Sequence, residues 1–140
     1  MKTRIENIRF IILFLIGSSI LISCSKRLIF NISPVVPAAE GKVKIKNDKN
    51  GNYSINLKII HLAEPKRLST PKDMYVVWME TEQNGIKNLG KLKTSSNLVS
   101  KTLKSSMKTV TPFKPKSIFI TAEDDADIQR PIGQEVLRTN

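Results

Sequence analysis

The chain has little of the chemistry from which many active sites are built. Among its 140 residues there is one cysteine, Cys24, so an intrachain disulfide cannot form. The only histidine, His61, has no cysteine near it and cannot complete a usual zinc site. No Ser-His-Asp arrangement can be located around it. A structural or exposed role is therefore expected for His61, and no metal or other cofactor is predicted.

Acidic residues are also scarce, with 12 Asp and Glu against 23 Lys and Arg and a net charge of +11. The one acidic cluster spans residues 123–127 (EDDAD). Oxygen-rich loops bind Ca²⁺ when carboxylates converge, but no Asp-x-Asp-x-Asp-Gly pattern occurs here, so a solvated turn is predicted. Glu80 and Glu82 are the only close carboxylate pair in a predicted strand, and no acid can be placed opposite them. We therefore predict a protein that is not an enzyme.

A membrane-spanning hydrophobic run is missing as well. The apolar stretch from Phe10 to Ile22 has thirteen residues, whereas a bilayer span needs roughly 20. It follows the basic segment 1–10 (MKTRIENIRF). A basic region followed by a short apolar core is typical of a secretory signal.

Four residues at the end of this segment define its expected processing. Leu21, Ile22, Ser23 and Cys24 resemble the lipobox of bacterial lipoproteins. The resemblance implies a signal peptide over residues 1–23, its removal, and acyl chains such as palmitate on Cys24, each buried methylene adding about 0.8 kcal/mol of membrane affinity. The alternative is an uncleaved signal anchor with an incidental cysteine.

The residue after Cys24 bears on the destination. It is Ser25, not an aspartate, which resembles the pattern of lipoproteins sent to the outer membrane. We therefore expect a lipid-anchored protein of the cell envelope, on the outer membrane and facing the periplasm. The sequence leaves open which membrane and which leaflet it occupies.

The exported part begins with a lipidated tether and a leading strand over residues 24–40, where Pro34 and Pro37 prevent regular pairing. A β-domain over residues 41–140 is expected to follow. Val43 and Ile45 alternate with lysines, which is typical of a strand with one wet face. An Asn-Gly turn follows, and then an alternating strand from Tyr53, so a hairpin is predicted.

Further strands are expected along the rest of the chain. Residues 61–72 are predicted to be a crossing loop and 74–80 (MYVVWME) a central strand. Residues 86–93 are its predicted return strand after Asn84-Gly85, with either a bulge or a close-packing point at Gly90. Residues 94–112 fit a helix face poorly and a pair of short strands slightly better. Two more strands, at 117–123 and 134–138, flank a loop. About seven strands indicate a small antiparallel, immunoglobulin-like β-sandwich in the all-β class.

Several short motifs resemble one known family, the extracytoplasmic domain of anti-sigma-K factors. They are residues 75–78 (YVVW), 84–85 (NG), 89–92 (LGKL), 117–123 (SIFITAE) and 131–137 (PIGQEVL). The resemblance covers about residues 40–140 and implies a small β-sandwich on the outer side of a membrane. The family's sigma-factor-binding domain and spanning helix have no counterpart here, so sigma-factor binding is not carried over.

Candidate binding residues lie on and after the central strand. Trp78 shares one side of it with Met74 and Val76 and is predicted to be buried, whereas Tyr75 on the other side is a candidate exposed residue. An acid-free basic stretch follows, which either contacts an anionic surface or is a solubilising face. Nucleic acid is not expected as a partner. The candidate binding surface is Lys87, Lys91, Lys93 and Tyr75, and the full stretch is Lys87, Lys91, Lys93, Lys101, Lys104, Lys108, Lys114 and Lys116.

Three functions follow as hypotheses. The first is a membrane-anchored envelope lipoprotein whose sandwich is a non-enzymatic interaction or accessory module, with an envelope protein as a candidate partner. The second is an extracytoplasmic regulatory or sensor protein related to anti-sigma outer domains. The third is an enzyme acting on glycan or peptide, which would need paired carboxylates in a cleft.

Overall fold

A computed structural model of the protein describes residues 25–97 and 100–140. This part of the chain forms nine β-strands and one short 3₁₀ helix, at Pro65–Arg67. The strands are β1 (Ser25–Ile29), β2 (Glu40–Asn47), β3 (Tyr53–Ile60), β4 (Met74–Thr81), β5 (Ile86–Lys91), β6 (Lys93–Asn97), β7 (Ser100–Thr111), β8 (Pro115–Glu123) and β9 (Glu135–Arg138).

The strands are arranged in two antiparallel sheets. One has five strands in the order β1-β2-β3-β7-β6, and the other has four in the order β5-β4-β8-β9. The predicted all-β antiparallel sandwich is therefore confirmed. The described residues contain nine strands where about seven were expected.

The β2–β3 hairpin forms where the alternation predicted it. Val43 pairs with Leu57 and Ile45 with Ile55, so both apolar rows face the core. In the turn, the Asp48 carboxylate accepts hydrogen bonds from the backbone N–H groups of Asn50 and Asn52, each at 2.8 Å. These bonds, that of Asn52 above all, hold the pKa of Asp48 below its usual value.

The second predicted hairpin, β4–β5, is also confirmed. Val77 lies opposite Gly90 and Trp78 opposite Asn88, so Leu89 is the extra residue of a β-bulge. Gly90 has a φ of 101°, a conformation that a side chain would oppose. The bulge therefore lies where the glycine in this strand predicted it.

The principal core lies between the two sheets. It takes Val43, Ile55 and Leu57 from the five-stranded sheet, and Val77 and Ile120 from the four-stranded sheet. Because side chains alternate along a strand, the neighbours of these residues point to the outer faces. The two outer faces differ in how far they are exposed to solvent.

The outer face of the four-stranded sheet is covered by the protein itself. Trp78, Val76 and Phe119 form a second buried cluster there, against which Ile128 packs. Ile128 belongs to the loop between β8 and β9. Asn88 holds this loop in place by donating hydrogen bonds to the carbonyls of Ala126 and Ile128, both at 2.8 Å. Trp78 is thus buried, as predicted, but beneath the β8–β9 loop and not against the other sheet.

Candidate functional site

The predicted lipidation site lies outside the described residues. Cys24 and the lipobox residues Leu21, Ile22 and Ser23 all precede the first described residue, Ser25. Ser25 is also the first residue of β1. Over the described ranges, no helix has the length and apolar character needed to cross a membrane.

Tyr75 does not belong to a binding surface, so this part of the prediction is wrong. Its side chain is 2% exposed and lies in the principal core. The hydroxyl donates a hydrogen bond to the Ala63 carbonyl at 2.9 Å, and burial raises the pKa of Tyr75 to about 12. The prediction failed because both sides of β4 are buried, whereas alternation suggested one wet side.

The three lysines predicted to accompany Tyr75 do not form one surface. Lys87 is half-buried, with its Nζ 4.8 Å from the centre of the Phe113 ring. Lys91 is exposed on β5, opposite Val76. Lys93 is exposed on β6, in the other sheet. The chain changes sheets at the buried Leu92, so neighbours in sequence become separate in space.

A larger basic surface forms on the outer side of the five-stranded sheet. Its residues come from β1, β2, β3, β6 and β7, which this sheet brings side by side. All of them are exposed. We call this surface the cationic face and define it as Arg27, Lys42, Lys44, Lys46, Lys58, Lys93, Lys104 and Lys108.

The strand register explains why these side chains share one side. Paired residues of adjacent strands point the same way, and residues two apart along a strand do so as well. One row across the sheet places Arg27 beside Lys44, then Asn56, then Lys108. The next row is Ile29, Lys42, Lys58, Ser106 and Lys93.

Acidic neighbours are nearly absent from this face. In the five-stranded sheet the only acidic residue within a strand is Glu40, at the start of β2. Leaving Lys104 aside, no residue of the cationic face forms a salt bridge with a described carboxylate. Apart from Lys104, the charges of this face are therefore not neutralised by salt bridges within the described part of the chain.

The last two lysines of the predicted basic stretch behave differently. Lys114 forms a salt bridge with Glu82 at 3.0 Å, and Lys116 forms one with Glu80 at 2.9 Å. The bond to Glu82 holds the pKa of Lys114 above its usual value. The carboxylate pair predicted from sequence is thus divided between two lysines, and no catalytic pair results.

Glu80 itself is held by cations and a hydroxyl. Its carboxylate accepts hydrogen bonds from Lys116, from Ser117 at 3.0 Å and from Arg138 at 3.4 Å. The bonds from Lys116 and Ser117 lower its pKa. A carboxylate held ionised in this way is suited to structure and not to general acid chemistry.

The acidic cluster is a solvated turn only in part. Asp124, Asp125 and Asp127 are exposed, as predicted. Glu123 is 3% exposed and accepts hydrogen bonds from the Thr121 hydroxyl at 2.7 Å and from the N–H groups of Ile132 and Gly133. It therefore fastens the β8–β9 loop, and for this residue the solvated turn is a wrong prediction.

Metal ligands do not converge in the part of the chain that is described. No group of three His, Cys, Asp or Glu residues is close enough there to hold a metal ion. His61 is exposed at the end of β3, has a φ of 57°, and donates its backbone N–H to the Leu103 carbonyl at 3.0 Å. Its positive φ at the end of β3 is a structural feature of this position.

A shallow apolar depression adjoins one corner of the cationic face. It has a volume of about 640 Å³. Ile29 and Ile32 line it and are 67% and 86% exposed. Lys42 and Lys58 of the cationic face line it as well. Apolar and cationic side chains therefore meet at this corner.

The cationic face was missed at the level of sequence, although one signal for it was present. The lysines of β2 alternate with Val43 and Ile45. This alternation predicted that one side of β2 faces solvent, but it did not predict which strands lie beside β2. Comparison of the chain with protein-family models, curated proteins and solved structures finds no match. The resemblance to anti-sigma-K domains therefore stays a prediction.

Proposed function

We propose that this protein is a lipoprotein of the cell envelope, anchored through Cys24, whose sandwich is a non-enzymatic interaction module. The observation that carries the proposal is the sequence Leu21-Ile22-Ser23-Cys24 placed directly before β1. A lipobox followed directly by a folded sheet is the order that a lipoprotein precursor requires, and cleavage before Cys24 would leave the acylated residue next to β1.

The start of β1 indicates how far the proposed anchor lies from the sandwich. Consecutive Cα atoms are about 3.8 Å apart, so the acylated residue would lie next to the edge of the five-stranded sheet, where Ser25 pairs with Lys46. A long flexible tether is not needed between anchor and sandwich. The module would therefore act at the membrane surface.

The engagement of the carboxylates supports a non-enzymatic module. Glu123 is occupied by three hydrogen bonds within the fold. Glu80 and Glu82 are each paired with a lysine. Interaction through an exposed surface requires none of these groups.

Metabolic labelling with a radioactive or alkyne-tagged fatty acid tests the anchor. The wild-type chain should incorporate the label, and Cys24→Ser should lose it and accumulate as unprocessed precursor. Ser25→Ala is the matched control, because it changes the neighbouring residue and leaves the thiol in place. Labelling and cleavage of Cys24→Ser at the wild-type level would refute the proposal.

A further inference from the structure

We infer that the cationic face, together with the apolar depression at its corner, docks on a bilayer surface that contains anionic phospholipid. The choice of a bilayer over other polyanions rests on the lipid anchor proposed at Cys24. Docking would orient the sandwich with its five-stranded sheet toward the headgroups and its four-stranded sheet away from them.

Charge complementarity is the first support. Neighbouring strands are about 4.8 Å apart, and residues on one side of a strand repeat every 6.8 Å or so. The register of the strands thus places the eight cations of the face in adjacent rows on one side of the sheet, where several can approach an anionic surface together. Each Lys or Arg near an anionic membrane strengthens binding by about fivefold.

Exposed apolar side chains on the same side are the second support. Ile29 belongs to a row of the cationic face, and Ile60 and Val110 also point outward from this sheet. In interfacial helices apolar side chains enter the acyl boundary while basic side chains meet the headgroups. This side of the sheet offers the same two kinds of side chain. A soluble polyanion would leave these isoleucines in water.

The position of the anchor is the third support. Ser25 begins the edge strand of the sheet and pairs with Lys46 of the cationic face. Arg27 and Ile29 follow on the same side of β1. An acyl group on Cys24 would therefore hold one edge of the face at the headgroups, where docking no longer requires diffusion from solution.

Lysine labelling of the intact protein tests the inference. The chain, purified from membranes, is added to vesicles of phosphatidylcholine alone or with a quarter of phosphatidylglycerol, and a membrane-impermeant amine reagent is applied. Mass spectrometry should find Lys44, Lys58 and Lys108 labelled several-fold more slowly on the anionic vesicles. Lys66 and Lys91 serve as internal controls and should change less than about twofold, since each lies outside the cationic face. Protection should vanish near 0.5 M salt, where the Debye length is about 4 Å.

Matched charge reversals locate the contact. Lys44→Glu with Lys108→Glu should weaken docking by at least about 25-fold, taking fivefold for each lysine lost, and should abolish protection of Lys58. Lys91→Glu with Arg130→Glu changes the net charge equally, away from the face, and should keep protection. The neutral pair Lys44→Gln and Lys108→Gln, checked by thermal unfolding, separates lost docking from misfolding.

Equal labelling on both vesicle types, or equal loss of protection in both reversal pairs, would overturn the inference. Protection by soluble dextran sulfate without protection by anionic vesicles would also overturn it, because the face would then serve a soluble polyanion. Labelling of lysines does not require acylation of Cys24. Failure of the anchor and failure of docking are therefore separate results.

Discussion

The two sheets of the sandwich use their outer faces in opposite ways. The five-stranded sheet leaves its outer face in solvent, whereas a loop and an aromatic cluster cover the outer face of the four-stranded sheet. Their charges differ in the same sense. The strands of the first sheet carry ten basic residues and one acidic residue, Glu40, and those of the second carry Lys87, Lys91, Lys116 and Arg138 against Glu80, Glu123 and Glu135.

This contrast concerns how the charged groups of each sheet are engaged. In the four-stranded sheet Glu80 and Glu135 are engaged with nearby cations, and Glu123 is engaged with a hydroxyl and two backbone N–H groups. On the five-stranded sheet the cations have almost no acidic neighbours, and their mutual repulsion persists. A surface that tolerates such repulsion is suited to an anionic partner outside the protein.

Truncation of the covered outer face should have the largest effect. Trp78 is 0% exposed and its Nε1 donates a hydrogen bond to the Thr121 hydroxyl at 2.8 Å. Trp78→Ala should lower the free energy of unfolding by about 3–5 kcal/mol, the usual cost of removing a buried aromatic side chain. Chemical denaturation measures this value.

The matched control is Val110→Thr, on the outer face of the other sheet. Val110 is exposed, so this change should alter stability by less than about 0.5 kcal/mol. Similar losses for the Trp78 and Val110 variants would show that the two outer faces do not differ in burial.

Release of the loop that covers this face should have the next largest effect. Glu123→Gln replaces an acceptor of two backbone N–H groups with an amide that can accept at only one end. A loss of about 1.5–3 kcal/mol is expected, as for a hydrogen bond to a charged group. Glu82→Gln, at an exposed salt bridge, should cost about 1 kcal/mol at most. Equal values by denaturant titration would contradict the structural role of Glu123.

Alkaline titration tests the burial of Tyr75 on the inner side of β4. Tyr53→Phe leaves Tyr75 as the only tyrosine, and its phenolate absorbance should then rise with a pKa of about 12. The pKa of Tyr75 in the folded protein lies above the ordinary value of 10.0. The contribution of its neutral, buried phenol to the free energy of unfolding is therefore complete below about pH 10 and declines as the pH rises toward 12. Ionisation of folded Tyr75 near pH 10 would place it in solvent.

The smallest expected effect is a gain in stability on the cationic face. Lys44 lies directly opposite Arg27, and like charges in this position destabilise a pair of strands. Lys44→Glu should therefore raise the free energy of unfolding by about 0.2–1 kcal/mol at low salt. Lys44→Gln should give part of this gain, and high salt should reduce both. A loss of stability would mean that the lysines do not repel one another across the strands.

Local patterns predicted most of the strands. The hairpins at β2–β3 and β4–β5 follow from alternation and Asn-Gly turns, which involve residues close in sequence. The bulge at Gly90 has a similarly local cause. For residues 94–112, spacing alone did not separate a helix from strands, and the pairing of β7 with β3 decides the matter.

The candidate site was less predictable because it depends on contacts between distant segments. Tyr75 was expected to be exposed because alternation does not show that β4 is central in a sandwich. Lys91 and Lys93 are close in sequence, but Leu92 marks a change of sheet. The cationic face joins β2 to β7, a neighbour relation that no local pattern contains.

The link between the two ends of the sandwich has a mechanical consequence. Asn31 donates its N–H to the Arg138 carbonyl at 2.9 Å, and Asn140 donates to Ile29 at 3.4 Å. Asn140 is thus fastened at the far end of β1 from Ser25. Because ladder hydrogen bonds run perpendicular to the strands, force applied between these two ends would act along β1 and shear its bonds to β2 together. The strand next to the proposed anchor is loaded in the direction in which a sheet resists rupture best.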